Sequence, residues 1–228
     1  MNELIKRTLF GALYVAVVVA SIVWLPTYVF KMLSVLVVVL AMREFWMLAK
    51  PHGSQGILNW IFVTIGWIVL PFMVLNLLLG YSRMLTLALF VIVWTNDTGA
   101  YCVGTLTAKL PGGNHKMAPV ISPKKSWEGL FGGIFFALVA GYIFSIFVTE
   151  IVWWQWLLLA AVIAVAGTYG DLFESKIKRR AGVKDSGKFL PGHGGVLDRF
   201  DSVLFASLAV FFLGVLFIPE LRLFLRNF

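Results

Sequence analysis

The sequence predicts an all-α, polytopic integral membrane protein of about seven transmembrane helices, with its N-terminus in the cytoplasm. Three observations lead there. The chain of 228 residues is 60% hydrophobic and only 13% charged, against roughly 25% charged residues in an average soluble domain. Apolar runs of about the 20 residues needed to cross a bilayer recur along its length. The polar segments between them are too short to bury a core of their own, so residues 1–228 read as one membrane domain.

Taken in order, residues 1–7 are short and basic, and residues 8–24 form the first apolar run. That run is long for a signal-peptide core, and a second span follows after only Pro26 and Thr27, so it reads as a retained helix. The second span is residues 28–48, with Lys31 near one end and Arg43–Glu44 near the other. Residues 50–56, with Pro51 and two glycines, predict a loop. The third span is residues 57–79, kinked at Pro71, which membrane helices tolerate. After a turn at 80–83 comes the fourth span, residues 84–103, carrying the polar pair Asn96–Asp97. Residues 104–125 predict a polar loop. The fifth span is 130–148. The sixth is 153–169 and continues as a helix out of the membrane to Arg180. The seventh is 198–218, followed by a short tail.

Seven spans place successive loops on alternating sides. Of the 19 Lys and Arg residues, 15 then fall on the side of the N-terminus, in residues 1–7, 43–56, 104–128 and 171–199. Positively charged loops face the cytoplasm. The net charge of +8 therefore reflects orientation and an anionic ligand, not nucleic acid, because no basic stripe lies outside the loops. The single cysteine, Cys102, excludes an internal disulfide framework and reads as a small packed residue.

The segment 170–202 concentrates the chemistry. It holds 5 of the 11 acidic residues and 7 of the 19 basic ones, between two long apolar runs. Asp171, Glu174, Ser175 and Lys178 stand at i, i+3, i+4 and i+7 and share a helix face. Asp198 and Asp201, at i and i+3, share a face at the start of the last span. A solvated helix end with internal ion pairs is one reading of these groups. An ordinary cytoplasmic loop, however, is basic without such matched acid. Asp171, Glu174, Asp198 and Asp201 could together supply the oxygen ligands that Mg²⁺ takes alongside water and phosphate, and the neighbouring Lys and Arg residues suit a metal–polyphosphate. His193 lies among glycines that let backbone N–H groups approach phosphate. Lys124 and Lys125 form either a lipid anchor or a phosphate site, and Asn96–Asp97 either a helix–helix clamp or a site pair.

Together these residues resemble the phosphatidate cytidylyltransferase family. The resemblance rests on Ser175-Lys-Ile-Lys-Arg179, Lys184-Asp185, Leu190-Pro-Gly-His-Gly-Gly195 and Asp198-Arg-Phe-Asp201 with their spacing intact. Upstream, Asn96–Asp97 and ISPKKSWEG at 121–129 also match, so residues 96–202 carry the resemblance. Ser126 stands where a Thr is expected, and the N-terminal half is short for that family. The resemblance implies transfer of a cytidylyl group from CTP to phosphatidate, giving CDP-diacylglycerol and pyrophosphate. It implies Asp171, Asp198, Asp201, Lys178 and His193 as catalytic, and Mg²⁺ on Asp171, Asp198 and Asp201 with Glu174. Substrate contacts fall to Ser122, Lys124, Lys125, Arg179, Lys184, Asp185, Gly194, Gly195, Arg199, Asn96 and Asp97. The expected setting is a bacterial plasma (inner) membrane with the site facing the cytoplasm, and the reading leaves room for a homodimer. The alternatives are another lipid phosphate as acceptor, or a transporter using the same charges to line a path.

Overall fold

The computed structural model describes residues 3–50, 53–187 and 194–227, with side chains from residue 8 onward. The apolar runs are helices: α1 (Glu3–Val23), α2 (Thr27–Ala49), α3 (Gly53–Thr64), α4 (Leu70–Tyr81), α5 (Arg83–Thr107), α6 (Trp127–Phe147), α7 (Trp153–Arg180), α8 (Leu197–Phe217) and α9 (Pro219–Arg226). Among the described residues, six helical stretches are long and apolar enough to cross a membrane, with α3 and α4 counted as one. The protein is an integral membrane protein. The expectation of about seven spans adds to these the first apolar stretch, Thr8–Val23, a shorter apolar helix that makes up most of α1.

The third span is continuous from Gly53 to Tyr81 but is π-helical over Ile65–Val69. That irregular turn sits beside Pro71, whose missing N–H leaves the carbonyl of Trp67 without its usual donor. Ser82 then starts α5, its hydroxyl accepting from the Leu85 amide at 3.2 Å.

The polar loop before α6 is not wholly irregular. Lys116–Ala118 (β1) and Ser122–Ser126 (β2) pair antiparallel, with Lys116 opposite Ser126 and Ala118 opposite Ser122. Among the described residues, the otherwise helical fold thus carries one small hairpin. His115 fastens it to α6: its amide donates to both Glu128 oxygens at 3.1 Å, and its Nδ1 lies 2.6 Å from Oε1. Ser126 both ends β2 and caps α6, accepting from the Gly129 amide at 3.1 Å.

Helix ends inside such a bundle need partners for their last carbonyls and first amides. At the end away from the hairpin, Arg83 Nη1 donates to the carbonyls of Ile22, Val23 and Leu25 at 3.1, 3.0 and 3.0 Å, closing α1. At the same end, Gln155 accepts from the Val152 amide at 2.9 Å and donates to the Phe217 carbonyl at 2.7 Å. This ties the start of α7 to the end of α8, so the two helices run antiparallel.

The α5–α6 contact is built on small residues, as membrane helix contacts often are. A Cβ on Gly133 would stand 2.6 Å from Asn96 Oδ1 and 2.8 Å from the Asn96 carbonyl. Gly133→Val is therefore expected to push α6 off α5 and cost about 1–3 kcal/mol, seen as a lower midpoint in a thermal melt of the detergent-solubilised protein.

Candidate active site

Two helices meet where the charge is densest. Gly170 of α7 lies so close to α8 that a Cβ there would strike the Asp201 carbonyl oxygen, and Gly167 faces Ser202. This approach brings the acidic face of α7 onto the first turns of α8. Lys178 Nζ donates to Asp198 Oδ1 at 2.5 Å and stands 3.5 Å from Glu174 Oε1. Asp198 Oδ2 accepts from the backbone amides of Ser186 (3.0 Å) and Gly195 (2.7 Å). Both oxygens of Asp198 are thereby engaged.

Glu174 is different. It is fully buried, and neither of its oxygens has a hydrogen-bond partner. Its carboxyl lies within electrostatic reach of that of Asp201. Asp201 Oδ1 accepts from the Ser202 amide at 2.6 Å, and the charges of Asp171 and Asp97 lie within its electrostatic reach. Among the described residues, no three His, Cys, Asp or Glu side chains are drawn together tightly enough to hold an ion. The arrangement is instead an elongated band of carboxylates: Asp97, Asp171, Asp201 and Glu174, with Asp198 at its end. Lys125, Lys178 and Arg199 are the cations that act on it.

The hairpin supplies the outer wall. Lys125 on β2 forms an ion pair with Asp171 Oδ2 at 2.7 Å and donates to the Thr168 carbonyl at 3.1 Å. The other Asp171 oxygen accepts from the Ser175 hydroxyl at 3.1 Å. Asp97, on α5, accepts weakly from Asn96 Nδ2 at 3.4 Å. Asp97, Tyr101, Ser122, Lys124, Lys125 and Asp171 line a cavity of about 370 Å³. Acid and base thus line the same cavity, with Lys125 and Asp171 paired in its wall.

A model of the cytidylyltransferase family matches residues 61–217. The chain belongs to the cytidylyltransferase family. Curated relatives named phosphatidate cytidylyltransferase include one from Staphylococcus saprophyticus, 49% identical over 117 residues, one from Staphylococcus epidermidis, 50% identical over 117 residues, and one from Staphylococcus aureus, 48% identical over 118 residues. Each match takes in 51% of this chain and 43% of the relative, so less than half of each relative's length is compared.

Within this family member the expected residues fall into three groups. Asp97, Ser122, Lys124, Lys125 and Asp171 border the cavity, with Asn96 buried behind Asp97. Glu174, Lys178, Asp198 and Asp201 sit deeper, between α7 and α8. Arg179, Lys184, Asp185, Gly194, Gly195 and Arg199 lie around them without entering the cavity wall. Arg179 is engaged with main chain, donating to the carbonyls of Ile121 (3.2 Å) and Val183 (3.0 Å), so it joins the hairpin to the loop. Lys184 and Asp185 are exposed. Gly194 has φ +80°, a conformation glycine favours, and a side chain there would meet Asp198 Oδ2. The Arg199 carbonyl accepts from the Tyr14 hydroxyl at 3.3 Å. His193 lies outside the described residues.

One acid at this end, noted in the sequence only as half of the Arg43–Glu44 pair at the end of the second span, was given no part in the site. Glu44, near the C-terminal end of α2, is only 5% exposed and reaches the loop before α8. It lies outside the stretch that the family model matches. The only local sign of it is a carboxylate in an apolar run, next to Arg43.

Lys178 is the buried cation on which Asp198 and Glu174 both depend. Lys178→Met is expected to cost about 3–5 kcal/mol, as when one partner of a buried pair is removed. Lys178→Met/Asp198→Asn should lose less than the sum of the single variants, and thermal melts of all three in detergent test this non-additivity.

Proposed function

We propose that the protein transfers the cytidylyl group of CTP to the phosphate of phosphatidate, releasing pyrophosphate and forming CDP-diacylglycerol. The observation carrying this reading is the cavity at one end of a membrane bundle, lined by Lys124 and Lys125 together with Asp97 and Asp171. Membership of the cytidylyltransferase family supports the reaction class. The names of the bacterial relatives support the acceptor.

The chemistry asks little of acid–base catalysis. A phosphate monoester has a second pKa of about 6, so the attacking oxygen is already largely ionised at neutral pH. The obstacle is that one anion must attack another. Catalysis therefore means neutralising, aligning and stabilising the departing pyrophosphate. Lys125 is pre-placed for this by Asp171 and the Thr168 carbonyl, which fix its ammonium at the cavity wall. Lys124 is exposed beside it and adds a second positive charge to the wall. Lys178 holds positive charge between the two helices, and Asp198 holds Lys178. Lys184 and Asp185, on the exposed loop, meet the nucleotide as it arrives.

The donor set fits Mg²⁺. All the candidate ligands are hard oxygens, carboxylates outnumber the cations among them, and the buried oxygens of Glu174 are orphaned. In this reading Glu174 and Asp201 would hold the ion, with water and substrate phosphate completing its shell, while Asp171 acts on it through its charge and Asp198 serves as the anchor of Lys178 and the loop. When bound, Mg²⁺ neutralises phosphate charge and stabilises the leaving group. The excess of Lys and Arg at this end supports a cytoplasmic orientation in a bacterial plasma membrane, where CTP has access.

The test is pyrophosphate release by purified protein supplied with CTP, phosphatidate and Mg²⁺, with ATP and EDTA as controls. Release requiring all three supports the proposal; release with a polyprenyl phosphate but not phosphatidate replaces the acceptor. Asp201→Asn should lower turnover by about 100-fold or more while membrane insertion is retained. Near-normal turnover in that variant would remove Asp201 from the site.

A further inference from the structure

We infer that Glu44 is a positioning residue for this site: from α2 it sets where the two stems of the α7–α8 loop stand, and through them Asp198 and Lys178. The inference rests on the cytidylyl-transfer reading and extends its machinery to a helix that the family match does not reach.

Glu44 has donors on every side that faces the loop. Oε1 accepts from the Val196 amide at 2.9 Å. Oε2 accepts from the Leu197 amide at 2.9 Å and from the Ser186 hydroxyl at 3.0 Å. Val196 and Leu197 begin α8, so a negative charge sits at the positive end of that helix. Ser186 belongs to the other stem of the loop. One carboxylate therefore holds both stems, and it does so from a residue 142 positions away from Ser186 in the chain.

The fit is close on both stems. A Cβ on Gly187 would lie 2.5 Å from Glu44 Oε1, and one on Gly195 would strike Glu44 Oε2 and the Ser186 hydroxyl. The same two stems donate the Ser186 and Gly195 amides to Asp198 Oδ2. Asp198 in turn directs its other oxygen at Lys178. The chain of contacts runs from Glu44 to the stems, from the stems to Asp198, and from Asp198 to the ammonium between α7 and α8. Every link is an acceptor meeting a donor, and Glu44 itself stays out of the cavity.

Glu44→Gln is nearly isosteric, but it turns one acceptor oxygen into an N–H₂ facing donors. Ser186→Ala removes one of the three donors and leaves the carboxylate in place. Full-length wild type and both variants are compared in detergent by hydrogen exchange and by pyrophosphate release from CTP and phosphatidate. In Glu44→Gln, exchange in peptides covering 184–187 and 194–200 should rise by about 10-fold or more, with α5 and α6 unchanged. Its kcat per folded molecule should fall by about 10- to 100-fold, the scale seen when a supporting partner is removed, while KM for the lipid stays within about twofold. Ser186→Ala should show the same pattern more weakly, and it decides the matter alone if Glu44→Gln does not fold. Stems that exchange at the wild-type rate would overturn the inference. So would exchange rising alike throughout the chain, or loosened stems with kcat unchanged. If wild type itself releases no pyrophosphate, the reaction assignment fails, and the exchange arm still decides whether Glu44 places the stems.

Discussion

Charge buried inside a bundle that spans a bilayer is tolerated only when it is paired and hydrogen-bonded. The contact of Lys178 with Asp198 is where this protein meets that constraint. Without the ammonium, Asp198 and Glu174 would face each other across α7 and α8 with no cation between them. Without Asp198, the Ser186 and Gly195 amides would lose their shared acceptor. The approach of the two helices, the path of the loop and the retention of Glu174 all depend on this pair. The glycine at position 170 makes the approach possible, because any larger residue would hold α8 away.

The hairpin completes what the two helices begin. Alone, α7 and α8 would present a band of acid to the membrane boundary. By carrying Lys125 to Asp171, β2 turns that band into a cavity lined by charge of both signs. Its own position is fixed from two directions, by His115 and Glu128 on one side and by Arg179 and the Ile121 carbonyl on the other. The proposed nucleoside triphosphate would meet a positive group that is held ready at that wall and not recruited from solution.

Much of this was readable from the sequence. The apolar runs marked the helices because crossing a bilayer demands length and composition, and both are local properties. The shared face of Asp171, Glu174 and Lys178 followed from helical spacing alone, and α7 does run unbroken to Arg180. Three things were not legible. The hairpin Lys116–Ser126 is short and interrupted by Pro123, so it shows no alternation of apolar and polar residues. The division of labour among the carboxylates depends on distances, which spacing does not reveal. Asp198 turned out to be fully engaged, Arg179 to serve backbone carbonyls, and Glu174 to be the acid left without a donor. Glu44 escaped because all its partners are more than 140 residues downstream.

The closure of α1 by Arg83 bears on how the protein is made. The carbonyls of Ile22, Val23 and Leu25 receive their donor from a residue 58 to 61 positions later. Ribosomes add about 5–20 residues per second, so the first helix waits several seconds in the bilayer before that guanidinium emerges. During the wait, only water and lipid headgroups can serve those carbonyls, which keeps that end of α1 at the membrane surface. Arrival of α5 brings the missing donor, so α1 can be closed while α6 to α9 are still to be made.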